Sequence, residues 1–73
     1  MAELENKHSI WIDDETRDDG TFDVIAYDEG AEETDWNLSR GHIATIEEAE
    51  AVLQGIIAAN PHLLFERRPN QKK

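Results

Sequence analysis

Apolar residues recur along the chain in three patterns, two of period two and one of period 3.6. In residues 8–13 (HSIWID), Ile10 and Ile12 fall on one side while Ser9, Trp11 and Asp13 fall on the other. In residues 21–27 (TFDVIAY), Phe22, Val24 and Ala26 alternate with Asp23, Ile25 and Tyr27. Both runs are rich in β-branched and aromatic residues, which suits strands. The polar stretch between them ends in Asp19-Gly20, a turn pair in which glycine takes a positive φ without a Cβ clash. The pattern predicts a β-hairpin in which Ile12 faces Phe22 and Ile10 faces Val24. One surface is then apolar and forms a core, and the other displays Trp11, Asp13, Asp23, Ile25 and Tyr27. A one-residue slip would turn one apolar set outward, so the choice of faces is strongly determined.

The third pattern predicts a helix. Thr45-Ile46-Glu47-Glu48 reads as a capping box, with the threonine hydroxyl accepting from the N3 amide and Glu48 reaching back to the Thr45 amide. Ile46, Ala49, Leu53, Ile56 and Ile57 then share one stripe, with Val52 on its margin. Asn60-Pro61 ends it, because the residue before a proline is pushed out of the α region. Gly55 lies off the stripe and costs about 1 kcal/mol relative to alanine.

The rest of the chain is less regular. Residues 1–6 carry no period and read as a frayed start. Residues 28–35 (DEGAEETD) read as a loop, residues 36–40 (WNLSR) as a third strand with Trp36 and Leu38 on one side, and residues 62–66 (HLLFE) as a last strand with Leu63 and Phe65 on one face. The end, RRPNQKK, reads as a mobile basic tail able to attach to the protein's own acids. The expected fold is a single α+β domain spanning residues 1–73. It has a small antiparallel sheet of three to four strands, in ββ(β)αβ order, with one amphipathic helix packed on one face.

Composition adds a constraint and a lead. A chain of 73 residues buries only roughly 60% of the surface it exposes when unfolded, and with no cysteine it has no disulfide to compensate. No stretch approaches the ~20 apolar residues that span a bilayer, and nothing resembles a signal peptide, so a cytoplasmic protein without a membrane partner is expected. The net charge of -10 is unevenly placed. Residues 1–35 hold 13 acidic and two basic side chains, a balance of -11, against four acidic and five basic in residues 36–73, a balance of +1. A charge serving only solubility would be spread over every surface.

The acids fit no catalytic or metal pattern. Aligning Gly20 with the glycine of a calcium loop places Arg17 at a ligand position and Ala26 where a bidentate glutamate is required. Asp13, Asp14, Asp18 and Asp19 belong to a solvated hairpin loop, not to the desolvated setting that general acid–base work needs. His8, His42 and His62 have no ligand-pair spacing and read as surface or strand-end residues. Neither serine sits in a nucleophile elbow, and there is no phosphate-binding glycine loop. No enzyme, cofactor or metal is expected.

Glu47 and Glu48 are accounted for by the helix dipole. Eleven acids remain between Asp13 and Asp35, opposed there only by Arg17. Two like charges 4 Å apart repel by about 4 kcal/mol at the effective dielectric of a protein surface. Their grouping around aromatics suits a binding surface for a basic protein, the aromatics supplying contact area and the acids steering. Trp11, Asp13, Asp14, Glu15, Asp18, Asp19, Asp23, Tyr27, Asp28, Glu29, Glu32, Glu33 and Asp35 are therefore the expected partner-binding residues, merged into one field.

Through DDETRDD, YDEGAEETD and the single capped helix, the chain resembles the small phage and mobile-element inhibitors that include anti-CRISPR and anti-restriction DNA mimics. The resemblance implies a non-enzymatic inhibitor that presents a nucleic-acid-like acidic surface to the basic groove of a nucleic-acid-binding protein, such as a CRISPR or restriction nuclease complex. Direct nucleic-acid binding is disfavoured, since the chain repels phosphate. The competing expectation is a small structural or regulatory adaptor, a homodimer joined through a strand edge, whose acidic half serves solubility.

Overall fold

The computed structural model describes residues 7–13 and 19–70. The expected frayed start at residues 1–6, and the loop positions Asp14, Glu15 and Asp18, lie outside the described residues. The chain forms β1 (Lys7–Asp13), β2 (Phe22–Asp28), β3 (Glu33–Thr34), β4 (Arg40–Ile43), α1 (Ile46–Ala59) and β5 (Leu64–Arg67). The architecture is α+β: one five-stranded sheet, ordered β3-β2-β1-β5 with β4 also paired to β2, and one helix.

The predicted hairpin forms on the predicted faces but in a different register. Ile12 lies opposite Val24 and Ile10 opposite Ala26, two residues from the expected pairing. A shift of two keeps every side chain on its face, so the hydrophobic alternation does not discriminate between the two registers. The observed one lengthens the ladder to His8 opposite Asp28 and leaves Phe22 to pair with Ile43 of β4. Gly20 takes φ +82°, the conformation expected of it in the turn.

Ile10, Ile12, Val24 and Ala26 meet Ala49, Leu53 and Ile56 of α1 to form the core. Burying a valine-, leucine- or isoleucine-sized side chain contributes roughly 1.5–3 kcal/mol. Phe22, Leu38, Ile43, Ile46, Val52, Ile57 and Phe65 are partly buried around it. The helix begins as the capping box predicts: Thr45 is the N-cap and its Oγ1 accepts from the Glu48 amide at 3.1 Å. The reciprocal half differs from expectation: the Glu48 carboxylate accepts from the Thr45 hydroxyl at 3.3 Å and not from the Thr45 amide. At the other end the Asn60 side-chain amide donates to the Ile56 carbonyl at 2.8 Å, and Pro61 follows.

Three of the weaker expectations need correction. Residues 36–40 are not a strand, because Asp35 folds them into a turn. Its carboxylate accepts from the Asn37 amide at 3.1 Å, and its carbonyl accepts from Leu38 and Ser39 at 3.2 and 3.1 Å. The strand begins at Arg40 instead. Residues 28–35 are not wholly loop, since Asp28 completes β2 and Glu33–Thr34 pairs back on it. The last strand runs from Leu64 to Arg67 and lies parallel to β1, so the sheet is mixed. The parallel pairing follows from topology: α1 crosses the sheet and returns the chain in the direction of β1.

Of the tail expected to be mobile, residues 71–73 lie outside the described residues, while Arg67 and Arg68 are tied down. Arg67 Nη2 bonds the Glu50 carboxylate of α1 at 2.8 Å, and the Arg68 amide donates to the Ile10 carbonyl at 2.9 Å. The Gln54 side-chain amide and the Arg67 guanidinium together hold the Glu50 carboxyl below its usual value of 4.5. A carboxyl with a lowered folded value contributes stability that is present above the unfolded pKa and lost as pH falls through the folded one. The stability difference between the native chain and Glu50→Gln should therefore be constant above about pH 5 and disappear on acidification below 4.5, as read by urea titration at several pH values.

No neighbouring atom lies within 4 Å of where a Cβ at Gly55 would be, and its φ is not positive. Close packing does not explain this glycine. Gly55→Ala should raise stability by about 0.5–1 kcal/mol, seen as a thermal midpoint higher by roughly 2–8 °C.

Candidate functional site

The helix covers one face of the sheet, and β1 and β2 carry polar residues at the end where that cover stops. His8 continues the Ile10–Ile12 row onto the helix side and is only 3% exposed. Its ring packs on Phe65 with centroids 5.6 Å apart. Nε2 lies 3.2 Å from Asp35 Oδ2 and 4.0 Å from Asp28 Oδ2. Each carboxylate uses its other oxygen to hold a turn: Asp28 Oδ1 accepts from the Ala31 amide and Asp35 Oδ1 from the Asn37 amide, both at 3.1 Å. His8 Nδ1 is buried without a hydrogen-bond partner among the described residues. A cleft of about 350 Å³, lined by Asp28, Glu33, Thr34, Asp35, Trp36 and Asn37, opens onto the two carboxylates.

On the opposite face Ser9 is also buried, at 1% exposure. Its hydroxyl donates to Glu29 Oε2 at 2.5 Å and accepts from Arg68 Nε at 3.2 Å. Arg68 Nη2 stands 3.9 Å from the same Glu29 oxygen. Lys7 and Arg68 both approach Glu66, at 3.2 and 3.7 Å, so the basic residues of this edge are engaged with the protein's own acids.

The expected binding residues divide into two groups. Trp11, Ile25 and Tyr27 lie half-buried on the face that the helix leaves uncovered, and Asp13 stands directly opposite Asp23 beside them. Asp19 belongs to this end too, but it builds the turn: Oδ1 accepts from the Thr21 amide at 3.0 Å and from its hydroxyl at 2.6 Å. Asp28, Glu29, Glu32, Glu33 and Asp35 occupy the other end. Asp23 and Asp28 are five residues apart on β2, roughly 17 Å of extended strand at about 3.3 Å per residue. The described acids thus form two groups at opposite ends of the ribbon, not the single merged field expected. Three of the second group are committed to His8, Ser9 and Arg68, while Glu32 and Glu33 remain exposed. Glu32 holds φ +58°, a conformation that disfavours a side chain.

Two features escape the sequence reading. His8 is a core residue, not a surface one, and the available signal is its position in the i, i+2, i+4 row with Ile10 and Ile12. Trp36, expected in a strand, is 74% exposed and stands between two clefts. The second cleft, of about 260 Å³, is lined by Asp23, Ile25, Trp36, Arg40 and His42 among others. It forms where β4 carries one residue more than β2 between the Phe22–Ile43 and Val24–Arg40 pairs, a bulge in which His42 takes φ +57°. No family model matches the chain, and searches of curated proteins and of solved structures find no match.

Ser39 holds the Trp36 turn against the sheet. Its hydroxyl accepts from the buried Ala26 residue's amide and donates to the Asp35 carbonyl, both at 3.0 Å. Ser39→Ala strands that amide and should cost about 1–3 kcal/mol in denaturant unfolding. Ser39→Thr, which keeps the hydroxyl, should recover most of it.

Proposed function

We propose that the protein is a non-enzymatic inhibitor that offers an acidic, aromatic-bearing surface to the basic groove of a nucleic-acid-binding protein. A CRISPR or restriction nuclease complex is a target of the right chemistry. The observation that carries this reading is the uncovered sheet face, where Trp11, Ile25 and Tyr27 lie side by side and Asp13 stands across from Asp23. Trp11, Ile25 and Tyr27 are only half-buried there, and a partner's groove would cover this apolar area while the two carboxylates meet its cations.

The acids near His8 and Ser9 contribute less than their number suggests, because internal hydrogen bonds hold them. The interaction therefore centres on the aromatic face and the Asp13–Asp23 end. In a groove built for phosphates, carboxylates would engage the lysines and arginines while Trp11 and Tyr27 supply buried area.

The test is capture of nucleic-acid-binding proteins from a nuclease-treated lysate on the immobilised chain, followed by release with duplex DNA or with salt. Bound protein should be displaced by DNA and should lose affinity as salt rises. The double variant Asp13→Asn/Asp23→Asn should bind about tenfold more weakly, equivalent to 1.4 kcal/mol, while remaining folded by circular dichroism. Glu47→Gln, on the helix, should bind as the native chain does. Binding that ignores both DNA and ionic strength would sink the reading.

A further inference from the structure

We propose that His8, Asp28 and Asp35 bind one divalent transition-metal ion. This goes beyond the inhibitor reading and stands apart from it, concerning the other end of β2 and needing no protein partner. It also departs from the expectation, drawn from histidine spacing, that no metal binds. The three ligands come from β1, the end of β2 and the turn after β3, so no sequence motif brings them together.

The geometry is that of a ligand set. One atom from each residue lies within 4.8 Å of the other two. Donors bonded to a common ion at about 2.0–2.1 Å in tetrahedral or octahedral arrangement are separated by about 2.8–3.4 Å. His8 Nε2 and Asp35 Oδ2 are already 3.2 Å apart. Asp28 Oδ2, at 4.0 Å, needs an approach of roughly 1 Å to join such a set.

A simple hydrogen bond accounts for only part of this arrangement. A single N–H at Nε2 serves Asp35 and leaves the Asp28 oxygen, 4.0 Å away, beyond hydrogen-bonding distance. Among the described residues, the buried His8 side chain has no polar partner outside this cluster: Nε2 meets only the two carboxylates, and Nδ1 meets nothing. A divalent ion would bring both carboxylates and the imidazole onto one centre and neutralise two negative charges held close together. Asp28 and Asp35 also line the 350 Å³ cleft, which would give the ion a route from solvent.

The donors also select the ion. One imidazole and two carboxylates, with no thiolate in the chain, suit Zn²⁺ better than Mg²⁺ or Ca²⁺, which prefer oxygen ligands and retain water.

The experiment titrates Zn²⁺ into the full chain by calorimetry, with thermal melting and histidine NMR in parallel. One Zn²⁺ should bind per chain in the presence of excess Mg²⁺, moving the His8 ring signals and not those of His42 or His62. The midpoint should rise by about 10 °C or more at a hundredfold excess over Kd. Asp28→Asn and Asp35→Asn should each weaken binding by more than about tenfold. His42→Gln, which alters the exposed His42–Asp19 contact, should leave it unchanged. His8→Gln disturbs a core position, so the two aspartate variants carry the decision. Absence of saturable one-to-one binding overturns the proposal, and so does undiminished affinity in both aspartate variants or displacement of Zn²⁺ by Mg²⁺ at comparable concentration.

Discussion

The fold depends on the contact between one row of side chains on the hairpin and one stripe on the helix. Ile10, Ile12, Val24 and Ala26 close against Ala49, Leu53 and Ile56, and these seven are the buried apolar set among the described residues. In a chain with no disulfide, that seam has to offset most of the conformational entropy of folding. Every other element is placed relative to it. β5 joins the free side of β1, β3 and β4 share the free side of β2, and Leu38, Ile43 and Phe65 seal the margins.

Polar residues finish what so small a core leaves open. Beyond Ile10 the two rows of β1 continue as His8 and Ser9, both buried; His8 is met by Asp28 at the end of β2 and Asp35 after β3, and Ser9 by Glu29. Acids that look surplus in the sequence thus act locally as turn-builders and as partners for buried side chains. Asp19, Asp28 and Asp35 each accept from a backbone amide two or three residues on, replacing hydrogen bonds that the short strands do not supply. Among the described residues the strand and loop acids fall into two groups with different duties, separated by the length of β2.

That division connects structure with function. The face turned from the helix keeps its aromatics half-exposed beside Asp13 and Asp23, and it is there that we propose a cationic macromolecule docks. The opposite end brings one imidazole and two carboxylates within 4.8 Å of one another, where we propose a small cation binds. The clefts on either side of Trp36 adjoin both regions, and the turn that carries this tryptophan is held to β2 through Ser39.

The amino-acid sequence by itself determined the elements whose signal is periodic or local. The alternation in residues 8–13 and 21–27 set which side chains of β1 and β2 face inward, and Thr45 with Glu48 and Asn60-Pro61 bounded the helix. Tertiary structure decided the register, because a shift of two residues preserves the alternation and only the contacts of Phe22 with Ile43 and of His8 with Asp28 distinguish the alternatives. It also decided that Trp36 lies in a turn and that β5 runs parallel to β1. The convergence of His8, Asp28 and Asp35 was illegible for the same reason: their separation along the chain carries no period, and only the pairing of β1 with β2 and the turn at Asp35 bring them together.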